Sequence, residues 1–180
     1  MKYRFKQAET EREFTEIARL NHSVFAAELG QHETRPDHAL FDKFHQKNTY
    51  YIALDCETIA GMIAVHFEAP FSVAGKLADS GVLDSLGKIA EIRLLAIDPA
   101  YRKGAVLAGL FWLVFDRCRD RDAMVISGRQ EELKMYRNIG FAPLGPAVAS
   151  GGAMFVPMAA SIPEILKKWQ RKFRLNSSFA

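Results

Sequence analysis

Glu91 is the side chain best placed to act as a base, because it lies in the otherwise apolar run Ile89–Ile97. Burial in such a run disfavours the charged form of a carboxyl group and strengthens its hold on a proton. A carboxylate of this kind can take the proton that a nucleophile loses as it reacts. The alternative is a salt bridge with Arg93, which lies two residues further on and on the same face of a strand.

Arg102 and Lys103 indicate a second kind of site, one for anions. They follow Pro99, which breaks the strand-like run, and they precede the apolar run Ala105–Phe115, which is typical of a helix. The first peptide N–H groups of a helix lack partners and carry the positive end of its dipole, so they favour phosphate. Gly104 would allow close approach to the backbone. The alternative is a plain helix cap with a solvated basic turn.

The segment that contains these residues resembles the GNAT acyltransferases. Glu91–Arg102 matches the family pattern E-I-x-x-L-x-I/V-x-P-x-Y-R, and Met135–Phe141 is similar to its L-Y-x-x-x-G-F segment. Two such matches at a fitting distance are more specific than either one alone. One departure is that Arg102–Leu107 is one residue shorter than the usual R-x-x-G-x-G/A turn and lacks its second glycine.

The resemblance implies transfer of an acyl group from a thioester to the primary amine of a small molecule, such as an amino acid, by direct attack. It implies that Glu91 is the base and that Tyr136 is the acid that protonates the leaving thiolate. As an alternative, Tyr136 only packs on an amphipathic helix. The donor-binding residues that the family pattern implies are Leu95, Ala96, Ile97, Arg102, Lys103, Gly104, Ala105 and Val106.

A narrower resemblance covers other parts of the chain. Val24–Gly30, Leu40–His45 and Tyr50–Ala53 resemble segments of N-acyl amino acid synthases and acyl-homoserine-lactone synthases, as do Gly145–Pro146 and Gly151–Met158. These relatives take long acyl chains from acyl carrier protein. The resemblance therefore makes acyl carrier protein one of the candidate donors.

Two positions argue against a homoserine-lactone synthase. The arginine of those enzymes near the strand end falls on Leu94, with Arg93 displaced by one, and a second expected arginine is Ala64. The short turn at Arg102 suits a carrier-protein arm with one phosphate. Acetyl-CoA, a longer acyl-CoA and an acyl carrier protein all remain as donors. A catalytically silent acyl-thioester-binding sensor or partner-binding module is the other class of protein that these residues permit.

The elements that position these residues alternate between strands and helices. Thr10–Glu13 has the pattern of a capping box and predicts a helix from there to about Gly30. Tyr50–Leu54 and Ile59–Phe67 predict a β-hairpin, and Ala69–Gly87 predicts a long irregular link that could cover a substrate pocket. The other predicted elements are strand Tyr3–Gln7, strand Ile89–Ile97, helix Val106–Arg119, strand Ala123–Ser127, helix Glu131–Ile139, and strands Phe141–Leu144 and Ala153–Met158.

This order predicts an α/β fold similar to the GNAT fold, with a mixed, mostly antiparallel central sheet flanked by helices on both faces. A chain of 180 residues suits one such domain, which we place at residues 1–160. Residues 161–180 are predicted to form a basic amphipathic helix or tail. Its cationic side chains either face solvent or dock an acidic carrier protein or anionic lipid.

Composition excludes several classes of protein. The chain has 24 basic and 21 acidic residues, a balance that does not suit a nucleic-acid partner. Cys56, Cys118 and the scattered histidines have no metal-ligand or disulfide spacing, so we expect no metal site. We expect His45 to form a surface pair with Asp42. The absence of a signal-like or membrane-spanning apolar run predicts a cytoplasmic protein without an integral membrane segment.

Overall fold

The described residues of the computed structural model, 3–102 and 104–177, form eight strands and four α-helices, and side chains are described as far as residue 170. The strands are β1 (Arg4–Gln7), β2 (Asn48–Asp55), β3 (Thr58–His66), β4 (Ile89–Ile97), β5 (Ala123–Arg129), β6 (Ala142–Pro143), β7 (Val148–Ser150) and β8 (Ala153–Ser161). The helices are α1 (Glu11–Asn21), α2 (Ala105–Arg117), α3 (Leu133–Ile139) and α4 (Ile162–Ser177).

The strands form one sheet in the order β1-β2-β3-β4-β5-β8-β6, with β7 paired to β8. The pairs β1–β2, β2–β3, β5–β8 and β6–β8 run antiparallel. The predicted hairpin is confirmed as β2 and β3, which have a register shift between Ala53 and Leu54. The fold is therefore mixed α/β with a mostly antiparallel sheet, as the sequence predicts.

Two compact units divide the described residues. The first unit lies within residues 1–67, 92–114 and 150–153, and the second lies within 68–91, 115–149 and 154–180. Strand β4 contributes Ile89–Glu91 to the second unit and Ile92–Ile97 to the first. The assignment of one domain at residues 1–160, followed by a tail, stays a prediction.

Helix α1 begins at the predicted capping box. The N–H of Glu13 donates to Thr10 Oγ1 at 3.2 Å, and the N–H of Thr10 donates to Glu13 Oε2 at 3.1 Å. This exchange satisfies two backbone donors at the start of the helix. The apolar face of α1 then packs in the core of the first unit, whose buried members include Ile17, Leu20, Val24, Ile52, Leu54, Ile59 and Met62.

The first helix does not keep the α form to its predicted end. After Asn21 it continues as a π-helix, His22–Glu28. The carbonyl of Ala18 accepts a hydrogen bond from the N–H of His22 and another from the N–H of Leu40. The following loop is thus bonded to the helix where the α pattern ends. π-helical turns occur frequently at functional sites.

The second unit is built around β5 and β8, whose register pairs Ile126 with Met158. The link predicted at Ala69–Gly87 is largely irregular, as expected, and contains two 3₁₀ segments, Ser72–Lys76 and Ser80–Leu86. Residues of this link share a core with β4 and β5. The buried members of that core are Val73, Leu83, Ile89, Ala123 and Val125.

Helix α4 lies within residues 161–180, which the sequence predicts as a basic amphipathic helix or tail. Ile162 and Ile165 are buried, and the ring of Trp169 contacts that of Phe115 at a centroid distance of 6.2 Å. Two of the basic side chains, Lys167 and Lys168, are exposed, whereas the side chains of Arg171, Lys172 and Arg174 lie outside the described residues. None of the helices in the described part of the chain combines the length and apolar character needed to cross a bilayer.

Candidate functional site

The turn between β4 and α2 forms the candidate anion site, in the first unit. Its entry is fixed where the N–H of Asp98 donates to the carbonyl of Ala60 in β3 at 3.1 Å. The chain then makes a 3₁₀ turn at Pro99–Tyr101 and enters α2 at Ala105. Gly104 has φ +88°, a backbone conformation that favours glycine. The first turn of α2 has no acidic residue of its own, so no side chain of that turn opposes its positive dipole end.

Arg102 lies at this turn and is held by an ion pair. Its Nη1 and Nη2 donate to Oε1 and Oε2 of Glu28, each at 2.6 Å, and its Nε donates to the carbonyl of Ile97 at 3.1 Å. The side chains of Arg102 and Glu28 are 41% and 39% exposed. Arg102, the predicted phosphate ligand, is therefore bonded to a carboxylate, and its role in binding stays a prediction. Lys103, its predicted companion, lies outside the described residues.

Two glycines seat the start of α2 against the strands of the first unit. A Cβ added to Gly61 in β3 would lie 2.9 Å from Cγ1 of Val106 and 3.2 Å from the carbonyl oxygen of Ala96. A Cβ added to Gly109 in α2 would lie 2.1 Å from Cζ of Phe5. Sequence reasoning gave neither glycine a role in the donor site. The available signal was a glycine inside an apolar strand and another inside an apolar helix.

The strand end predicted to hold the donor lies in the same unit as the turn. Ala96 is fully buried, and Leu95 and Ile97 are partly buried. The structure thus gathers most of the predicted donor-binding residues into one unit, namely Leu95, Ala96, Ile97, Arg102, Gly104, Ala105 and Val106. Their role in binding stays a prediction.

Glu91 lies in the second unit and is 1% exposed. Its Oε1 accepts the hydroxyl of Ser72 at 2.6 Å and the N–H of Val73 at 2.8 Å, and its Oε2 accepts the N–H of Ser72 at 2.8 Å. The carboxylate therefore fixes the start of the 3₁₀ segment Ser72–Lys76. Three of the roughly four acceptor directions of a carboxylate are in use. Sequence reasoning missed Ser72 and Val73, because a serine in an irregular link gives no distinct signal.

The salt bridge expected as the alternative for Glu91 is wrong, because Arg93 pairs with Asp42 instead. Arg93 Nη2 donates to Asp42 Oδ1 at 2.9 Å, and Asn48 Nδ2 donates to Asp42 Oδ2 at 2.7 Å. Burial opposes ionisation of Asp42, but the bonds from Arg93 and Asn48 outweigh it and hold the pKa of this carboxyl below its usual value. The guanidinium of Arg93 also lies 4.9 Å from the ring centre of Phe44.

The expected surface pair of His45 with Asp42 is also wrong. His45 Nδ1 lies 3.0 Å from the hydroxyl of Tyr50, a side chain that is 2% exposed. The pairing follows from the 3₁₀ segment His45–Lys47, which turns the chain into β2. Sequence proximity alone did not show which neighbour the ring would contact.

Tyr136 lies on α3 in the second unit and is buried. Its ring fits beside Gly128 in β5, where an added Cβ would lie 2.8 Å from Cδ2 of the tyrosine. Gly140, with φ +131°, ends the helix and lets the ring of Phe141 pack edge-on at a centroid distance of 6.1 Å. Burial, and secondarily the charge of Glu132, raise the pKa of the Tyr136 phenol above its usual value. The G-F part of the motif is therefore explained by a glycine that ends the helix and an aromatic ring that packs against Tyr136.

Comparison with known families identifies the chain. The sequence matches the family model described as N-acyl amino acid synthase FeeM over residues 16–161. The chain belongs to the FeeM family. The GNAT resemblance and the synthase branch predicted from the motifs are thereby confirmed, and the protein is an acyltransferase rather than a catalytically silent module. No curated protein matches the chain by sequence.

Solved structures agree with the FeeM-family fold. FeeM, an N-acyl amino acid synthase from uncultured soil microbes, has a TM-score of 0.72 and 16% identity, over 91% of this chain and 92% of its own. BjaI, a CoA-dependent acyl-homoserine lactone synthase solved with SAM and isopentyl-CoA, has a TM-score of 0.68 and 18% identity, over 90% of this chain and 82% of its own. A Lactobacillus plantarum protein described as an N-acetyltransferase has a TM-score of 0.68 and 13% identity, over 90% of this chain and 99% of its own. At these identities the likeness concerns the fold.

Metal ligands do not cluster in the described part of this FeeM-family chain, where no group of three or more His, Cys, Asp or Glu side chains is placed to hold an ion. The polar groups that the sequence predicts for the site are the cation of Arg102, the buried carboxylate of Glu91 and the buried phenol of Tyr136, and their roles stay predictions. These can bind an anion, accept a proton and donate one.

Proposed function

We propose that this protein transfers an acyl group from a thioester on a phosphopantetheine arm to the primary amine of a small molecule, with amino acids as the acceptor class. Membership of the FeeM family supports an acyl amino acid as the product. The observation that carries the donor half of the proposal is the turn after β4. There Arg102 and Gly104 precede the dipole end of α2, next to the strand residues Leu95–Ile97.

The reaction makes one bond and breaks one. The amine nitrogen attacks the thioester carbonyl carbon, the C–N bond forms, and the C–S bond breaks as the thiolate leaves. The amine loses a proton to a base, and the thiolate gains one from an acid. Peptide N–H groups of the Leu95–Ile97 strand end would stabilise the oxygen that develops negative charge. No covalent intermediate on the enzyme is required.

The donor phosphate is assigned to Arg102 and to the peptide N–H groups of Gly104, Ala105 and Val106, with Lys103 as a second cation. Coenzyme A and acyl carrier protein both present phosphopantetheine, so acetyl-CoA, longer acyl-CoA and acyl carrier protein are all candidate donors. That BjaI is CoA-dependent and was solved with isopentyl-CoA supports a thioester donor.

The exposed cations Lys167 and Lys168 on α4 support a further part of the proposal. They would dock an acidic carrier protein during transfer, or an anionic lipid surface as a peripheral contact. This interaction would be electrostatic, and we expect it to weaken as salt is added.

Tyr136 is assigned the acid role. A tyrosine phenol is protonated at neutral pH, the state that a proton donor needs, and burial raises its pKa further. The buried ring is fixed between Gly128 and Phe141, so its position would not vary during the reaction.

Glu91 is assigned the base role, through the one acceptor direction that Ser72 and Val73 leave open. The same contacts support a second role, in which the carboxylate only anchors the link that contains Ser72–Lys76. The two roles make different demands: a base must exchange a proton in each turnover, whereas an anchor must stay ionised and bonded.

The proposal is tested with purified protein, the amino acids as a mixture, and three donors: acetyl-CoA, a long-chain acyl-CoA and a long-chain acyl carrier protein. Mass spectrometry of the products should show an N-acyl amino acid with at least one donor, together with an equal amount of released thiol. Arg102→Gln should lower the rate, whereas Arg19→Gln, which removes an exposed arginine of α1, should not. Thiol release without an amide product, or no reaction with any donor, would contradict the proposed function.

A further inference from the structure

The ion pair at the donor turn joins side chains that are 74 residues apart in sequence. Glu28 is the last residue of the π-helix, and Arg102 follows the 3₁₀ turn Pro99–Tyr101. Both of its N–H···O contacts measure 2.6 Å, the short distance typical of a charge-assisted bidentate pair. A carboxylate is thus placed beside the group to which we assign the donor phosphate.

The pair changes the charge that an incoming phosphate meets. Glu28 neutralises the charge of Arg102. This negative charge comes from the π-helix, because the first turn of α2 carries no acidic residue of its own. Both side chains are about two-fifths exposed, so solvent screens the pair and the guanidinium can be shared with a ligand. A phosphate bound to Arg102 would therefore also be repelled by the adjacent carboxylate of Glu28.

Repulsion from a fixed carboxylate grows with the charge of the ligand. Coenzyme A brings a pyrophosphate and a ribose phosphate, whereas a carrier-borne arm brings a single phosphodiester. We infer that Glu28 is a specificity-determining residue that, by pairing with Arg102, disfavours highly charged donors at this turn. The inference rests on the proposed function and adds a residue that decides between its donors.

The test measures dissociation constants by calorimetry for two probes, coenzyme A and free 4′-phosphopantetheine, and takes their ratio. Glu28→Gln should tighten coenzyme A about 10-fold and 4′-phosphopantetheine about 2-fold, because the more charged ligand gains more from loss of the carboxylate. Arg102→Gln should move the ratio the opposite way, since it removes the cation and keeps the negative charge of Glu28. The double variant, neutral like the wild-type pair, should return the ratio to within about 2-fold of wild type.

Glu57→Gln is the matched control, because Glu57 is an exposed carboxylate of the same unit and lies 3.8 Å from Arg12. Its ratio should equal that of wild type. The change caused by Glu28→Gln should also shrink as salt is raised. If Glu28→Gln fails to fold, the double variant is compared with Arg102→Gln: removal of the carboxylate should bring the ratio back towards wild type, and an unchanged ratio overturns the inference.

An unchanged ratio in Glu28→Gln, or a shift of both single variants in the same direction, overturns the inference while leaving the donor site intact. If wild type binds neither probe, the proposed donor site is wrong and the inference falls with it. The rate with acyl-CoA relative to that with acyl carrier protein should rise in the variants that bind coenzyme A relatively more tightly, and fall in those that bind it relatively less tightly.

Discussion

Tyr136 combines a buried ring with a position in the segment that resembles the GNAT L-Y-x-x-x-G-F pattern. We expect Tyr136→Phe to lower turnover about 100-fold to 10,000-fold, the usual contribution of a general acid. The ring contact with Phe141 and the fit beside Gly128 are kept. Donor binding and the free energy of unfolding should therefore stay near wild type.

The matched control is Tyr3→Phe, which removes a phenol from a partly exposed residue of the first unit. Its turnover should be unchanged. Normal turnover in Tyr136→Phe would remove the phenol from the mechanism and leave it a packing residue.

For Glu91, the question is whether the carboxylate acts as the base or only anchors the link that contains Ser72–Lys76. Glu91→Gln places an amide NH₂ among three donors, so we expect the free energy of unfolding to fall by about 2 kcal/mol, and turnover to fall as well. Ser72→Ala removes only the hydroxyl that donates to Glu91 at 2.6 Å. It should loosen the 3₁₀ segment by about 1 kcal/mol and leave the carboxylate available.

Comparison of these two variants separates base from anchor. If Ser72→Ala keeps its turnover while Glu91→Gln loses it, and part of that loss returns at higher pH as the amine deprotonates unaided, the base role holds. Equal losses of turnover in both variants would favour anchoring.

Helix α2 packs closely against β3 because Gly61 has no side chain. This contact between two elements can be tested by substitution. Gly61→Ala would press a methyl group against Val106 and the Ala96 carbonyl. We expect the free energy of unfolding to fall by about 1–3 kcal/mol from overpacking, and the donor dissociation constant to rise because the first turn of α2 shifts. Urea denaturation and calorimetry measure the two effects.

Gly75→Ala is the control for that substitution, since nothing lies within 4 Å of the Cβ it would add. The free energy of unfolding and the donor dissociation constant of Gly75→Ala should both stay close to those of wild type. Donor affinity that is unchanged in Gly61→Ala would show that α2 does not need this seat to bind its ligand.

The start of α1 gives a prediction about acid. Burial opposes ionisation of Glu13, but the N–H groups of Glu9 and Thr10 and the ammonium of Lys6 lower the pKa of its carboxyl to about 2. A depressed pKa contributes stability above the unfolded value, near 4.5, and that stability is lost as pH falls towards 2. With solvent screening we expect a loss of about 1 kcal/mol.

Glu13→Gln keeps a capping residue but cannot titrate, so its unfolding free energy should vary less than that of wild type between pH 5 and pH 3, the range we would scan by urea denaturation. Glu11→Gln, at the first residue of α1, is the control and should follow wild type. A wild-type curve as flat as that of Glu13→Gln would contradict the assignment.

Elements with a regular pattern could be predicted from the sequence, and elements made by long-range contacts could not. Strand β4 has its predicted bounds, and the β2–β3 hairpin and α2 agree with their predictions within a few residues. The π-helix His22–Glu28 was missed because the apolar pattern of the sequence predicts one continuous α-helix to about Gly30. Strand β7 was missed because Val148–Ser150 is too short to show a period.

The candidate site divides in the same way. The turn at Arg102 and the motif around Tyr136 follow from residue types at fixed spacing. The partners of these residues do not, because Glu28 reaches Arg102 from 74 residues away and Ser72 reaches Glu91 from 19 residues away. Sequence patterns locate a reactive group, but the charge that it meets depends on tertiary contacts.

At the scale of the whole molecule, donor binding should raise the free energy of unfolding. A donor at 100 times its dissociation constant adds about 2.7 kcal/mol, which for a chain of 180 residues corresponds to a rise in Tm of about 5–10 °C. Acyl-CoA and acyl carrier protein should be compared by differential scanning calorimetry at matched saturation. Arg102→Gln should reduce the rise at a fixed donor concentration, because a tenfold weaker site retains only about 1.4 kcal/mol, whereas Arg19→Gln should keep all of it. If no donor moves the wild-type melting curve at saturating concentration, the turn after β4 is not a donor site, and the phosphate roles assigned to Arg102 and Gly104 are wrong.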